Sequence, residues 1–192
     1  MTIKEELIDY ANRCLAGEEI SGKKHKWACM RFLRDCKKED AKNVQANVWP
    51  YHWDEEEASK IVDWFSMLRH SKGDLAGQPI SLTIWQKFNL CQLYGWREDI
   101  TGYKRFKQSF IEVGRKNAKS QMEAGVALYE ISVMATRNEE NYEYYTAGTK
   151  RDQSKIILNE AKLMLNKSPL KPLFKITIPS ILTTVLYMPL GA

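Results

Sequence analysis

The sequence lacks paired cysteines, a long apolar run and a leader-like amino terminus. Its four cysteines, Cys14, Cys29, Cys36 and Cys91, form no C-x-x-C pair, and cytosolic thiols stay reduced, so no disulfide framework is predicted. No apolar run is long enough to cross a bilayer, and no charged segment followed by an apolar core opens the chain. We therefore expect a cytoplasmic protein without a membrane partner.

Internal repeats and low-complexity segments are also absent. The 192 residues are 44% apolar and 11% aromatic, which is enough to bury a core and to exclude disorder as the default. The net charge of +5 and the pI near 8.9 fit a nucleic-acid partner. Because acids are interspersed with the lysines and arginines, this composition is weak support by itself.

A metal site is a weak alternative in the amino-terminal part. If the segment after Gly22 is helical, His25 and Cys29 lie four residues apart on one face, with Cys36 two turns further on. Zinc needs four ligands, and the sequence offers no C-x-x-C pair to complete them. We therefore predict no zinc site from the pattern.

Helical periodicity dominates the first 95 residues. It predicts helices over Lys4–Leu15, after Gly22, after the cap Asp54, and over Thr83–Tyr94. The helix after Asp54 carries three glutamates in its first turn and a predicted buried stripe formed by Ile61, Trp64, Phe65 and Leu68.

A cluster of helix-breaking residues divides the chain. Gly73, Gly77 and Pro79 interrupt the helical pattern. We therefore predict a helical region over 1–78 and a second region over 79–192.

The second region changes period. Phe106–Val113 and Tyr142–Ala147 are rich in β-favouring residues, whereas Lys119–Met134 and a segment from Asp152 to about Leu165 have helical spacing. An alternation of strand and helix predicts an α/β fold with a mainly parallel sheet.

A phosphate-binding loop is predicted between the first of these strands and its helix. Backbone N–H groups and the helix dipole at this turn favour an anion, Lys119 can reach outer phosphates, and the Ser120 hydroxyl can ligate Mg²⁺. Val113 and Ala118 stand where G-x-x-x-x-G-K-[ST] has glycines. The alternative interpretation of a bare Lys-Ser pair is the start of an ordinary amphipathic helix.

Neighbouring residues favour the phosphate loop. The run Glu112–Ser120 resembles the modified Walker A motif of phage terminase large subunits, whose pattern is close to R-K-N-G-K-S, with Ala118 as the departure. Upstream, the sequence resembles the same family's L-x-x-W-Q-K-F and G-W segments. Further similar segments are His70–Gly73, Ala76–Gly77 and Thr146–Gln153; the L-x-x-W-Q-K-F and G-W matches are Leu82, Trp85–Phe88 and Gly95-Trp96.

The resemblance implies a P-loop NTPase of the RecA/ASCE-like type, incomplete here and preceded by a helical region. It implies ATP-driven translocation of double-stranded DNA into a capsid, with ATP and Mg²⁺ as cofactors. The implied partners are the portal protein, the terminase small subunit and other copies of the chain, in the host cytoplasm. The implied catalytic residues are Lys119, which would stabilise phosphate charge, and Arg115, which would sense the phosphate. Ser120 would bind Mg²⁺, and Gln86 beside Trp85 would recognise adenine. The other implied nucleotide contacts are Gly114, Lys116, Asn117 and Ala118, together with Lys119 and Ser120.

The acidic pair that such an ATPase needs for Mg²⁺ and water is not found. Asp54-Glu55 fits helix initiation instead, and Tyr187–Ala192 resembles the segment that shortly precedes the acidic motif in the family. We therefore expect a truncated chain without the nuclease domain, for which binding is a safer prediction than hydrolysis.

Two other functions remain open. One is a non-catalytic fragment that binds DNA or portal protein without ATP turnover, with Lys104, Arg105 and Lys107 as candidate phosphate-backbone contacts. The other is a small nucleotide kinase, which would not explain the segment around Trp85 and Gln86.

Overall fold

The computed structural model describes residues 1–42, 49–138, 142–147, 151–176 and 181–183. The chain forms two compact units, each gathered from two stretches: 1–63 with 82–111, and 64–81 with 112–192. The predicted division at residue 78 stays a prediction. In chain order the elements are α1 (Ile3–Ala16), α2 (Lys23–Lys42), β1 (Tyr51–Trp53), α3 (Glu55–Met67), α4 (Ile84–Gly95), β2 (Trp96–Glu98), α5 (Lys119–Tyr129), a π-helical turn (Glu130–Met134), α6 (Ala135–Arg137), α7 (Arg151–Asn166), a 3₁₀ turn (Lys171–Leu173), β3 (Phe174–Ile176) and β4 (Ile181–Thr183).

The predicted helices are confirmed, and their ends have local causes. Thr2 caps α1 through a capping box, in which Glu5 N donates to Thr2 Oγ1 at 3.1 Å and Thr2 N donates to Glu5 Oε2 at 2.8 Å. Asp54 caps α3 as predicted, because its Oδ1 accepts from Glu57 N at 2.9 Å. All four members of the predicted α3 stripe are buried.

Aromatic rings fill the core of the first unit. Phe32, Phe88 and Trp96 are fully shielded from solvent. The ring of Phe32 lies 5.5 Å from that of Phe88 and 6.4 Å from that of Trp96, both edge to face, which is a favourable arrangement of aromatic quadrupoles. β1 and β2 close this core as an antiparallel pair with Trp53 opposite Trp96.

The cationic cluster after this pair is largely structural. Arg105 is one of the three residues predicted as DNA contacts, but its guanidinium binds the buried Asp35 carboxylate at 2.8 Å and stacks 4.4 Å from the Trp49 ring. Lys104 lies over the ring of Tyr94 at 4.9 Å. Only Lys107 is exposed. The DNA-contact hypothesis is therefore wrong for Arg105, because an arginine engaged by a buried carboxylate and aromatic faces is not presented to a phosphate backbone.

The second unit packs α5 and α7 with the end of α3. Trp64 donates from Nε1 to the Gly125 carbonyl at 3.0 Å, and its ring meets those of Tyr129 and Phe174 edge to face. Gly125 lies against the buried ring of Phe65. A glycine in α5 therefore lets the two helices approach closely.

Both sheets in the described part of the chain are two-stranded and antiparallel. The stretches 106–113 and 142–147, predicted as strands, carry no strand assignment, and the mainly parallel sheet is not seen among these residues. The physical reason is that β-propensity reflects fit to a paired, half-buried surface, and neither stretch has a paired neighbour in a ladder there. The observed architecture is a mixed helix and strand fold.

The predicted helix over 119–134 is present but changes its winding. α5 passes into the π-helical turn at Glu130, where Ser132 Oγ donates to the Leu128 carbonyl at 2.5 Å. A hydroxyl that binds the carbonyl four residues back is a common cause of local helix distortion. Among the residues described, no helix is long and apolar enough to span a membrane.

Candidate nucleotide-binding site

The predicted phosphate loop runs directly into α5. Lys119 is the first residue of the helix, and Ala118 occupies the cap position in the left-handed conformation, with φ 53° and ψ 22°. The first helical hydrogen bond runs from Met122 N to Ala118 O at 2.9 Å. The N–H groups of the residues before Met122 therefore precede the intrahelical ladder, and this is the end of a helix that favours anions.

Left-handed and ordinary backbone conformations alternate along the loop. Lys116 has φ 68° and Ala118 has φ 53°, whereas Asn117 between them does not have a positive φ. Alternation of left-handed and ordinary conformations turns successive N–H groups toward one side, as in anion-binding nests. The loop therefore has two left-handed residues, and neither of them is a glycine.

Asn117 braces this loop from within. Its Nδ2 donates to the Gly114 carbonyl at 3.1 Å and more weakly to the Arg115 carbonyl at 3.4 Å. The side-chain amide thereby joins two carbonyls of the turn to Asn117. This role was not predicted, although an asparagine in a turn is a typical signal for such a bond.

Three exposed cations belong to the same short segment. Arg115, Lys116 and Lys119 are all exposed, and Ser120 is half-buried in the first turn of α5. Cationic side chains beside free N–H groups create a positive potential, and a hydroxyl in the first turn is a suitable ligand for a hard cation. The segment therefore offers the kinds of group that a polyphosphate and a hard cation prefer.

A second loop of the same unit supports the start of α5. His70 Nδ1 lies 3.2 Å from Nε2 of Gln121. The His70 carbonyl also accepts from Gly77 N at 2.9 Å, and Gly77 has φ 85°, a conformation that favours glycine. This loop contains the segment around His70 that resembles the family, and its link to Gln121 was not predicted.

The same loop is also attached to α7. Ser71 Oγ donates to Glu160 Oε1 at 2.5 Å, and Lys72 Nζ lies 3.6 Å from Glu160 Oε2. Glu160 is only 7% exposed. A buried carboxylate that is paired in this way fixes the loop to the helix.

Ala118 is a strained residue at this site, and a substitution tests it. We expect Ala118→Gly to raise the free energy of unfolding by up to about 1 kcal/mol, since the left-handed conformation costs an L-residue about 1–2 kcal/mol and the added glycine flexibility offsets part of this. Urea denaturation measures the change. Ala127→Gly, at a buried position inside α5, is the matched control and should lose about 1 kcal/mol. Equal losses in both variants would contradict the strain.

Gln86 and Trp85 belong to the first unit. Gln86 is the third residue of α4 and is buried, while Trp85 is half-buried. Gln86 Oε1 accepts from both the backbone N and the Oγ1 of Thr83, each at 2.9 Å. The side-chain carbonyl thus completes a capping box, and both of its lone pairs are engaged.

The structure brings together a different set of cysteine and histidine residues from the set that helical spacing suggested. Ligand atoms of Cys14, His25 and Cys29 all lie within 4.8 Å of one another. Cys36, which the helical spacing suggested, is not in this group. Cys14 was missed because it comes from α1, and contact between helices is not visible in spacing along one helix.

Two segments that resemble the family lie partly or wholly outside the described residues. Thr146–Gln153 lacks 148–150, and Tyr187–Ala192 lies outside entirely. The helix predicted from Asp152 is present as α7.

Comparison with known proteins finds a family whose match includes the predicted phosphate loop. No curated protein and no solved structure matches the chain significantly. The family described as "Terminase large subunit, ATPase domain" matches residues 84–184, which include the phosphate loop, Trp85 and Gln86 and make up more than half of the chain. The chain therefore belongs to the terminase large subunit ATPase domain family.

Proposed function

We propose that this chain binds ATP with Mg²⁺ as part of a phage DNA-packaging motor, which translocates double-stranded DNA into the capsid. The observation that carries the proposal is the loop of 114–120, with two left-handed residues, three exposed cations and a helix start. Family membership supports nucleotide use. The fold that we propose around this loop is that of a P-loop NTPase.

The residues of the loop fit a triphosphate. Backbone N–H groups at the start of α5 would hold the phosphate oxygens, and Lys119 would neutralise the outer phosphates. Lys116 and Gly114 contribute backbone to the loop, and Asn117 maintains its form. Together these groups would bind and orient the nucleotide.

Ser120 and Arg115 have the second set of roles. The Ser120 hydroxyl would ligate Mg²⁺, whose charge would offset that of the phosphates. Arg115 is exposed in the loop, so its guanidinium is available to sense the terminal phosphate by paired hydrogen bonds.

Calorimetric titration of the 192-residue chain with ATP and Mg²⁺ tests this function. We expect saturable binding of one nucleotide per chain and competition by inorganic triphosphate, because the loop recognises the phosphates. An absence of saturable binding, or binding with which triphosphate does not compete, would contradict the proposal.

We propose that Gln86 recognises adenine, and its hydrogen bonds in the structure limit which of its atoms can do so. A side-chain amide can pair with adenine N6 and N7, but Oε1 is already held by Thr83. Nε2 is therefore the donor available for N7, and recognition of N6 requires the Thr83 hydroxyl to turn away.

Gln86→Glu tests this role, because it retains the acceptor for the capping box and removes the donor. We expect ATP affinity to fall about 5- to 10-fold, the effect of about one hydrogen bond. The affinity for inorganic triphosphate should be unchanged. An equal loss for both ligands would show that Gln86 acts on stability, and no loss would exclude it from recognition.

The partners that we propose are double-stranded DNA, the portal protein, the terminase small subunit and further copies of the chain. Support for DNA comes from α2, which exposes several cations on its surface. Such cations favour an anionic polymer through counterion release. These exposed residues are Lys23, Lys24, Arg31, Arg34, Lys37 and Lys38.

A further inference from the structure

Three potential metal ligands meet between α1 and α2. His25 and Cys29 are four residues apart on α2 and share one face, and Cys14 comes from the last part of α1. Their ligand atoms lie within 4.8 Å of one another. Among the described residues, no fourth histidine, cysteine or acidic residue joins this group.

The three ligand atoms are nearly as close together as the ligands of a bound metal ion. With Zn–S bonds of about 2.3 Å, two sulfurs of a tetrahedral site are about 3.8 Å apart. Small side-chain rotations would bring the three ligand atoms from their present separations to that distance. The donors already come from two helices that pack against each other.

Charge and burial also fit a zinc ion. Cys14 and Cys29 are both 0% exposed, and two thiolates with a neutral imidazole balance the charge of Zn²⁺. A site with no net charge avoids the cost of an unpaired ion in a low-dielectric core. Thiolate and imidazole are also the ligand types that zinc selects.

The histidine is already oriented. Tyr10 Oη lies 3.0 Å from His25 Nε2, and the rings of Tyr10 and Phe88 stand 5.8 and 5.4 Å from the imidazole. A hydrogen bond to one ring nitrogen fixes the imidazole so that the other can face a metal. Because no fourth protein ligand joins the group among the described residues, a water molecule would complete the tetrahedral set.

We propose that Cys14, His25 and Cys29 bind one Zn²⁺ ion, which fastens α1 to α2. This site is independent of the phosphate loop. A disulfide between Cys14 and Cys29 is the competing fate of the same two sulfurs, and the experiment distinguishes the two.

Cobalt substitution on the full chain tests the site. The reduced, metal-free protein is titrated with Co²⁺, and we expect thiolate charge-transfer absorption and tetrahedral d–d bands that saturate at one equivalent and are displaced by Zn²⁺. Cys29→Ala should weaken binding at least about 100-fold, since loss of a ligand exceeds the effect of losing an outer partner. Cys91→Ala is the matched control, because Cys91 is equally buried but lies outside the cluster, and it should bind like the parent.

His25→Asn provides a second variant that leaves both thiols in place, in case Cys29→Ala does not fold. It should lose tetrahedral cobalt binding while its circular dichroism matches that of the parent. The proposal is overturned if the reduced parent takes up no Co²⁺ or Zn²⁺, if His25→Asn binds as tightly as the parent, or if mass spectrometry of protein purified without reductant shows a Cys14–Cys29 disulfide.

Discussion

Replacing Lys119 with alanine is expected to weaken binding of ATP with Mg²⁺ by about 10- to 100-fold. The change removes a charged hydrogen bond, which is worth about 1.5–3 kcal/mol, and each 1.4 kcal/mol is a factor of ten in affinity. Lys119 is exposed at the first position of α5, so its loss should leave the free energy of unfolding nearly unchanged. Calorimetric titration measures the affinity, and urea denaturation measures the stability.

Lys155→Ala is the matched control for this experiment. Lys155 is an exposed lysine on α7 of the same unit, so its removal changes the net charge equally without touching the loop. We expect ATP affinity to stay within about twofold of the parent, since an exposed charge at a distance is screened by salt. If the two variants lose affinity to the same extent, Lys119 acts only through the general charge of the protein and the loop assignment fails.

Gly125→Ala is the substitution with the largest expected effect on stability. An ideal β-carbon at Gly125 would lie 2.4 Å from both Cε1 and Cζ of Phe65. Phe65 is 0% exposed, so its ring has little room to move. Overpacking of a core typically costs about 1–3 kcal/mol, and we expect a loss of this size in the free energy of unfolding, measured by urea denaturation. Because Gly125 is on the helix that begins at the phosphate loop, nucleotide affinity should fall as well.

A double-mutant cycle separates this clash from the loss of a glycine in general. Phe65→Leu alone should destabilise the unit by leaving a cavity, whereas Phe65→Leu with Gly125→Ala should recover part of both losses, because the smaller side chain admits the methyl group. Additive losses in the double variant would contradict a direct contact. A stable Gly125→Ala variant would contradict the close approach of α3 and α5.

The helices could be predicted because their causes are local. The cap at Asp54 and the stripe from Ile61 to Leu68 are readable from spacing along one segment, and both are confirmed. The capping box of Thr83 and Gln86 is equally local. It follows the S/T-x-x-E/Q pattern, with Thr83 at the first position and Gln86 at the last.

The strands could not be predicted in the same way, since pairing depends on distant residues. β1 pairs with β2 across more than forty positions, and nothing near Tyr51 indicates that partner. Conversely, Phe106–Val113 has strand-forming residues without a described partner strand. Propensity indicates suitability for a ladder but does not supply the neighbour.

The sequence indicates where the candidate loop meets its helix, but it does not specify the backbone conformation of the loop or its contacts. The start of a helix at Lys119 followed from the motif, and the structure places it there. The left-handed conformation of Ala118 is what a glycine in the family pattern would permit, and here a methyl group occupies that position. The brace by Asn117 and the contact from His70 to Gln121 depend on tertiary geometry, which the sequence does not specify.

A co-crystal structure of the chain with Mg²⁺ and a non-hydrolysable ATP analogue tests the central claim most directly. We predict that the β- and γ-phosphates lie against the backbone of 115–120, with Lys119 on the outer phosphates and the Ser120 hydroxyl on the metal ion. A triphosphate bound anywhere other than the start of α5 would contradict it.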